Sequence, residues 1–180
     1  LKGDEYYTPD YVVEAILPYI KKHSDIKTIW CPFDKEYSEF VKIFKREGYK
    51  VYYTHIDFGQ DFLTYEPDFE FDLIISNPPF SLKNEVFEKV ISYNKKWCLL
   101  MSATSVQSAS FIKVLSKELQ QNDLRFDKRI SYTGERPPFP SWFFTGGGVL
   151  DGNKTYIYKE KPDVLYERWV RNGGVTEEEK

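Results

Sequence analysis

Short apolar runs alternate with segments of helical periodicity along most of the chain, and this alternation constrains the fold more than any other feature. The apolar runs have the length and the β-branched or aromatic content of strands. They read TIWC (28–31), KVYYTHI (50–56), DFLTY (61–65), FDLIIS (71–76) and KWCLLMS (96–102). Strands that alternate with helices predict βαβ units, and therefore an α/β fold with a mainly parallel twisted sheet that carries helices on both faces.

The segments around and between these runs carry apolar residues three and four positions apart, which is typical of helices packed on a core. Thr8 is the predicted N-cap of the first helix. The four apolar faces are Val13, Ile16, Leu17 and Ile20; Tyr37, Phe40, Val41 and Phe44; Val86, Phe87, Val90 and Ile91; and Phe111, Val114, Leu115 and Leu119.

The last third of the chain has a different pattern, in which strand-like runs follow one another without a helix between them. These runs are RFDKRISY (125–132), SWFFT (141–145) and KTYIYKE (154–160), and Gly- and Pro-rich turns separate them. Such a succession predicts an antiparallel C-terminal hairpin at one side of the sheet.

Size and composition favour one packed domain. The 180 residues are 41% hydrophobic and 18% aromatic, which predicts a globular chain with a substantial core. We expect a single domain over residues 1–170 and a solvated acidic tail over residues 171–180. The net charge of −3 lacks the basic excess of a protein that coats nucleic acid, so any contact with nucleic acid is expected to be local.

The chain carries little that could form a disulfide framework or a metal site. Its only cysteines are Cys31 and Cys98, its only histidines are His23 and His55, and none has metal-ligand spacing. Two cysteines predict a reducing compartment, and we expect a cytoplasmic protein without a metal. No apolar run approaches about 18 residues and no charged-then-apolar leader is visible, so neither a membrane span nor a signal peptide is predicted.

The most apolar predicted strand ends abruptly in SNPPF, at the edge of the sheet where ligands of parallel α/β folds collect. Asn77 offers a side-chain carbonyl, and Pro78 offers a backbone carbonyl without an N–H beside it. Two acceptors can hold both N–H groups of an exocyclic amine, while Phe80 stacks on the ring that carries the amine. The arrangement suits adenine. The alternative is a strand-terminating turn in which Phe80 belongs to the core.

The tetrapeptide Asn77–Phe80 matches a motif of a known protein family. The sequence resembles the amino-group methyltransferases that use S-adenosylmethionine, and in particular the adenine-N6 DNA methyltransferases, in which an NPPY or NPPF tetrapeptide holds the target base. The match covers Asn77, Pro78, Pro79 and Phe80. The resemblance implies a Rossmann-like methyltransferase fold, a catalytic role for these four residues, and a flipped or single-stranded adenine in DNA as the acceptor.

Two further segments, within residues 4–80, resemble the same family. DEYYTPDYVVEAIL (4–17) is similar to its N-terminal YTP element, and the segment GQDFLTY that precedes the NPPF strand is similar to its DFL element. The resemblance implies that Asp61 accepts from the amino group of the cofactor adenine and that Phe62 flanks its ring. It implies that the methionine end of S-adenosylmethionine lies against Tyr7, Thr8 and Pro9.

The cofactor loop departs from the family pattern. The family has an acidic residue, a proline and a Gly-rich turn, whereas the chain reads WCPFDKEYSEF (30–40) with no glycine. A further family acid, which holds the ribose, is replaced by His55, with Asp57 two residues later. We expect Asp34 and Asp57 to take over the polar roles; His55 is either a ribose contact or an ordinary hydrogen-bonded residue. The remaining predicted cofactor residues of this loop are Cys31, Pro32 and Phe33.

Basic and aromatic residues mix near the predicted C-terminal strands, where they favour contact with DNA over an ordinary charged surface. The predicted nucleic-acid residues are Arg125, Lys128, Arg129, Arg136 and Trp142. No separate target-recognition domain is visible, so recognition should depend on residues 133–153 or on a partner subunit. Two alternatives stay open: a methyltransferase acting on RNA adenine or protein glutamine, and a methyltransferase-fold binding module without turnover.

Overall fold

A computed structural model describes residues 6–132, 139–158, 168–169 and 171–172. Within these ranges the helices are α1 (Asp10–Ile20), α2 (Glu39–Arg46), α3 (Lys83–Ser92) and α4 (Ala109–Leu115). The strands are β1 (Thr28–Cys31), β2 (Lys50–Tyr53), β3 (Leu73–Ser76), β4 (Lys96–Ser102), β5 (Asn122–Phe126), β6 (Ser141–Gly146) and β7 (Lys154–Tyr156).

The described strands form a seven-stranded sheet in the order β2-β1-β3-β4-β6-β5-β7. Strands β2, β1, β3 and β4 are parallel neighbours, whereas β6 runs antiparallel to both β4 and β5, and β7 is parallel to β5. The fold is therefore a mainly parallel α/β sheet with an antiparallel C-terminal pair, which confirms the prediction. The strand order reverses between β1 and β3, so their carboxyl ends open the crevice in which such sheets bind ligands.

Two apolar cores cover the two faces of the sheet. Helices α1 and α2 pack on one face, where Ile16, Phe40 and Phe44 are buried. Helices α3 and α4 pack on the other face, where Phe87 and Phe111 are buried. Strand β3 contributes to both cores, because Leu73 and Ile75 lie in the first and Ile74 lies in the second. Its position between two buried layers explains why its sequence is uninterrupted and apolar.

Turn chemistry sets several element ends. The Ser38 hydroxyl accepts from the Phe40 amide and begins α2, and Gly48, at a φ of 89°, follows the end of that helix. Gly147, at a φ of 67°, follows the end of β6, and a Cβ added there would lie 2.7 Å from the carbonyl oxygen of Lys95. The chain therefore requires glycine at that turn.

Several predicted boundaries are wrong. The run DFLTY is a turn, because Asp61 Oδ1 accepts from the Leu63 amide and the Asp61 carbonyl accepts from the Tyr65 amide. The predicted strand over residues 125–132 is shifted, since β5 begins at Asn122 and ends at Phe126. Helix α4 ends at Leu115, which leaves Leu119 94% exposed.

The ends of the first helix and the last strand also differ from the predictions. Pro9, not Thr8, is the N-cap of α1, and no side chain caps that end. Strand β7 ends at Tyr156, and residues 159–160 of the predicted run lie outside the described residues. Residues 173–180 of the predicted tail also lie outside them. Among the helices that the structure describes, none is long and apolar enough to cross a membrane.

Candidate active site

The side-chain amide of Asn77 has a fixed orientation at the end of β3. Its Nδ2 donates to the carbonyl oxygen of Tyr6 at 2.9 Å and to the Thr8 hydroxyl at 3.1 Å. A backbone carbonyl can only accept, so the Tyr6 contact assigns the nitrogen to that side of the amide. Asn77 therefore presents Oδ1, an acceptor, away from the N-terminal segment. Thr8 lies one residue before the N-cap of α1, and its hydroxyl contacts Asn77.

The rest of NPPF turns directly into α3. Pro78 is buried and Pro79 has the extended backbone of a proline before a turn, with a φ of −56° and a ψ of 129°. Phe80 begins a short 3-10 turn, Phe80–Leu82, and its ring is half-buried. The two prolines thus set the direction of the chain between Asn77 and Phe80.

The loop after β1 is held by side chains. Asp34 is buried, and its two carboxylate oxygens accept from the Ser38 and Ser76 hydroxyls, each at 2.5 Å. Its amide donates to the Thr54 carbonyl at 3.2 Å. Hydrogen bonds to a carboxylate are about twice as strong as neutral ones. Asp34 therefore joins the β1 loop to the first turn of α2 and to the end of β3, one residue before Asn77.

A cleft lies above the carboxyl ends of β1 and β3. The predicted site residues that line it are Tyr7, Thr8, Phe33, Asp34, His55 and Asn77. The lining does not include the other predicted cofactor residues, Pro9, Cys31, Pro32, Asp57, Asp61 and Phe62, or the rest of the tetrapeptide, Pro78, Pro79 and Phe80. The structure thus brings five of the eleven predicted cofactor residues to the same cleft as Asn77.

Cys31 and Pro32 lie at the base of this region. The Cys31 side chain is fully buried, and both burial and the nearby Asp34 carboxylate raise the pKa of its thiol well above the usual value. A neutral buried thiol is a poor nucleophile and behaves as a small apolar group. The Pro32 carbonyl accepts from the Thr54 hydroxyl at 3.4 Å, so its oxygen points toward β2.

His55 and Asp57 occupy different environments. His55 is buried, lines the cleft, and its Nδ1 accepts from the Asp57 amide at 3.1 Å. Asp57 is 55% exposed and pairs with Lys35 at 2.6 Å. This hydrogen bond lowers the pKa of the Asp57 carboxyl and raises the pKa of the Lys35 ammonium. The carboxylate predicted to contact the ribose is therefore engaged with a lysine on the cleft wall.

Asp61 and Phe62 are not part of the cleft lining. Asp61 Oδ1 stabilises its own turn by accepting from the Leu63 amide, and Phe62 is 2% exposed. The Phe62 ring lies 5.5 Å from Trp30 and 5.0 Å from Phe33, measured between ring centroids. Because Phe33 lines the cleft, Phe62 contacts the site through that ring. The roles of Asp61 and Phe62 toward a cofactor stay predictions.

The sequence interpretation missed several residues at the start of α2 and near the cleft mouth. The additional lining residues are Tyr6, Lys35, Tyr37, Ser38, Glu39 and Trp169. Glu39 is buried in the first turn of α2, and desolvation raises the pKa of its carboxyl despite the ammonium of Lys42 at 2.9 Å. Ser38 followed by Glu39 is an N-terminal helix signal, and it could have located the residues at the start of α2.

Two large apolar side chains remain exposed beside His55. Ile56 is 60% exposed and Phe58 is 59% exposed in the short 3-10 turn that follows β2. This turn lies at the same carboxyl edge as the cleft, since β2 is parallel to β1. Exposed apolar groups beside a polar cleft are typical of ligand sites, where they cover the apolar part of the ligand.

Part of the predicted nucleic-acid patch lies at the same edge. The guanidinium of Arg125 lies 4.9 Å from the ring centroid of Trp142 and also contacts Asp123 at 3.3 Å. Lys128 and Arg129 are exposed just beyond the end of β5. Both neighbours of β6 run antiparallel to it, so β5 ends at the carboxyl edge of β1, β3 and β4. Arg136 lies outside the described residues.

Comparisons with known proteins identify a fold neighbour. No family model matches the chain, and no curated protein matches it. A solved chain described as a modification subunit of a putative type I restriction enzyme from Vibrio vulnificus YJ016 matches with a TM-score of 0.50. The match covers 97% of this chain and 55% of that chain, at 13% identity. The chain thus spans about half of the neighbour, and likeness at this identity concerns the fold.

Proposed function

We propose that the chain transfers a methyl group from S-adenosylmethionine to the N6 amino group of adenine in DNA. The orientation of the Asn77 amide is the observation that carries the proposal. Two acceptors, the Tyr6 carbonyl and the Thr8 hydroxyl, hold Nδ2, and this leaves Oδ1 as the atom that Asn77 can offer to an amine. A strand-terminating asparagine does not need both of these contacts, which come from a segment about 70 residues away in sequence.

The chemistry follows from that acceptor and the carbonyl of Pro78. Each accepts one N–H of the adenine amine and draws electron density back to the nitrogen from the ring. S-adenosylmethionine supplies an electrophilic methyl group on a sulfonium. The adenine nitrogen would take this methyl group through its lone pair, the electrons of the broken C–S bond would stay on sulfur, and one proton would leave the nitrogen for solvent. Positioning the amine in line with the C–S bond is the main task of the protein.

The cleft residues fit the polar end of this cofactor. The amino acid part of S-adenosylmethionine carries an ammonium and a carboxylate, and the cleft has buried Asp34 and Glu39 with Lys35 on its wall. Asp34, Glu39 and Lys35 would hold the charged end, Tyr7 and Thr8 would lie near the sulfonium, and Ile56 and Phe58 would cover the adenine.

The acceptor is DNA in this proposal. Lys128 and Arg129 lie at the carboxyl edge, where they can contact phosphates while a base enters toward Asn77. The base would be flipped or taken from a single strand. The solved neighbour is described as a modification subunit, and the chain spans 55% of it. A partner subunit that supplies target recognition is therefore part of the proposal.

Two measurements test the proposal in sequence. Isothermal calorimetry should show that the protein binds S-adenosylmethionine. Unmodified single-stranded DNA incubated with the protein and S-adenosylmethionine should then contain N6-methyladenine, which is detected by mass spectrometry of the nucleosides. Matched DNA without adenine controls for transfer to other bases. Binding without transfer to DNA, but with transfer to RNA or to a glutamine peptide, would replace the acceptor. Absence of cofactor binding would favour a binding module.

A further inference from the structure

Tyr6 contacts the catalytic tetrapeptide twice, and none of the roles assigned so far uses its ring. Its carbonyl oxygen holds Asn77 Nδ2 at 2.9 Å. Its ring stacks on Phe80, with 5.7 Å between the ring centroids and 29° between the ring planes. One residue thus fixes the acceptor amide and also covers the ring proposed to stack on the base.

A third ring closes the edge of this pair. Phe139 lies 4.9 Å from Phe80 at 85° and 6.1 Å from Tyr6 at 90°, so its plane stands across both. Tyr132 lies behind Tyr6 at 5.2 Å and is fully buried. Tyr6, Phe80 and Phe139 are each only half-buried, unlike the core aromatics. Three adjoining, partly exposed rings beside a polar acceptor are typical of a ligand slot.

Tyr6 and Phe80 stack directly on each other in this structure, so a planar ligand can enter between them only if the two rings separate. Inserting one aromatic ring between two others requires two contacts of about 3.5 Å, and therefore about 7 Å between the outer planes. The centroids of Tyr6 and Phe80 are 5.7 Å apart and the rings lie against each other, so the Tyr6 ring has to move off Phe80 to admit a base. The Tyr6 ring lies on the N-terminal segment before α1, and a rotation about its side-chain bonds would open this gap while the Tyr6 carbonyl keeps its contact with Asn77 Nδ2.

We propose that Tyr6 forms the second stacking wall of the acceptor slot, opposite Phe80, and that the slot selects an unstacked nucleobase of a DNA strand. This inference rests on the proposed function and deepens it. Two aromatic faces and a perpendicular third ring complement an aromatic base. A glutamine amide, which lacks a ring, would leave the two faces apart with little between them. Tyr6 is thus a specificity-determining residue for the class of acceptor.

The test measures base binding without turnover. Fluorescence anisotropy compares a labelled single strand that carries one adenine on an otherwise abasic backbone with the same strand without the base. Wild-type protein should bind the adenine strand more tightly. Tyr6→Leu should reduce this preference roughly 5- to 150-fold, as expected for loss of one aromatic stacking partner. Tyr6→Phe keeps the ring and should keep the preference.

Control variants separate stacking from folding. Tyr19→Leu removes a half-buried aromatic ring from α1 outside the slot and should bind both strands as the wild type does. Thermal melting of each variant checks folding, and Tyr6→Met, which keeps an unbranched apolar side chain, replaces Tyr6→Leu if the latter melts early.

The outcomes distinguish this inference from the proposed function. Wild-type preference for adenine in Tyr6→Leu or Tyr6→Met would overturn the role of Tyr6, whatever the methyl-transfer assay shows. A wild-type protein with no preference between the strands would overturn the base slot. Formation of N6-methyladenine in DNA decides the proposed function separately, so the two can fail independently.

Discussion

Two loops leave the carboxyl ends of neighbouring parallel strands and reach the same cleft, but they are held in different ways. The loop after β3, residues 77–82, has two prolines, and the Tyr6 carbonyl and Thr8 hydroxyl hold its asparagine from outside. The loop after β1, residues 32–38, has no glycine, and the Asp34 carboxylate holds it from inside through Ser38 and Ser76. One loop is restrained mainly by its backbone and the other mainly by side chains.

The difference bears on the proposal that the glycine-free loop after β1 holds S-adenosylmethionine. A Gly-rich loop brings backbone N–H groups close to a ligand, which requires conformations that residues with a Cβ rarely adopt. Asp34 and Ser38 instead place side-chain groups at the cleft wall. The two loops are also connected, because the Asp34 carboxylate accepts a hydrogen bond from the hydroxyl of Ser76, the residue before Asn77. A ligand that displaces Asp34 would therefore disturb the acceptor geometry at Asn77.

The β3 loop allows the largest expected effect. Asn77→Ala removes the Oδ1 acceptor and leaves both prolines, so methyl transfer should fall by roughly 10²–10³ in kcat, as for deletion of one group that stabilises a transition state. Melting temperature and calorimetric cofactor affinity should change much less. Rates are measured by incorporation of a labelled methyl group into single-stranded DNA.

A matched control comes from the opposite edge of the sheet. Asn122 is also half-buried, and its Nδ2 donates to the Leu150 carbonyl at 3.2 Å. Asn122→Ala should keep wild-type kcat. Equal rates for Asn77→Ala and the wild type would leave only a turn-forming role for NPPF.

The contrast between the loops also explains which features could be predicted from sequence. The strand β3 and the residues Asn77 and Phe80 were recognisable because an apolar run, two prolines and a family motif are all local. The Asp34–Ser76 hydrogen bond joins positions 42 residues apart and leaves no local pattern. The run DFLTY has the composition of a strand, but the Asp61 side chain satisfies the Leu63 amide and favours a turn.

The β1 loop gives the second prediction. Asp34→Ala leaves the Ser38 and Ser76 hydroxyls without their acceptor in a buried place, which should lower the free energy of unfolding by about 1–3 kcal/mol. If Asp34 also holds the charged end of the cofactor, the dissociation constant should rise roughly tenfold to a hundredfold. Chemical denaturation and calorimetry measure the two effects.

Asp123 provides the comparison, since it is 7% exposed on β5 and contacts Arg125 and Gln121 away from the cleft. Asp123→Ala should be destabilised without a change in cofactor affinity. If Asp34→Ala is destabilised but binds the cofactor as tightly as the wild type, the Asp34 carboxylate has only a structural role. The difference between the two loops would then concern stability alone.

The basic residues beyond β5 give a smaller effect that extends the comparison to the acceptor. The double change Lys128→Ala and Arg129→Ala should weaken binding of single-stranded DNA and make the salt dependence shallower, by about 0.7 in the log–log slope for each phosphate that the protein no longer neutralises. The measurement is anisotropy over a series of salt concentrations. Lys22→Ala, an exposed lysine after the end of α1, is the control and should keep the wild-type slope. An unchanged slope in the double variant would show that Lys128 and Arg129 do not contact the phosphates of the DNA.

The ion pair between Lys35 and Asp57 gives the smallest expected effect and tests how far the β1 loop depends on charge. Lys35 lowers the pKa of the Asp57 carboxyl, so the pair stabilises the folded state at neutral pH. That contribution disappears as the pH falls through the carboxyl pKa of the folded protein. Because Asp57 is 55% exposed, Asp57→Asn should cost at most about 1 kcal/mol at pH 7, and the difference from the wild type should vanish in acid.

The same variant decides between two uses of one carboxylate. With Asp57 engaged by Lys35, its replacement should change cofactor affinity by less than about tenfold, whereas a direct hydrogen bond to the ribose would cost more than that. Calorimetry on Asp57→Asn and on Lys35→Met separates the cases. If both variants lose affinity equally, Asp57 acts by holding Lys35, which is proposed to bind the charged end of the cofactor. If only Asp57→Asn loses affinity, and by more than tenfold, the Asp57 carboxylate binds the ribose in place of Lys35. Asp57 would then serve as the ribose-binding acid of the family, two residues after His55.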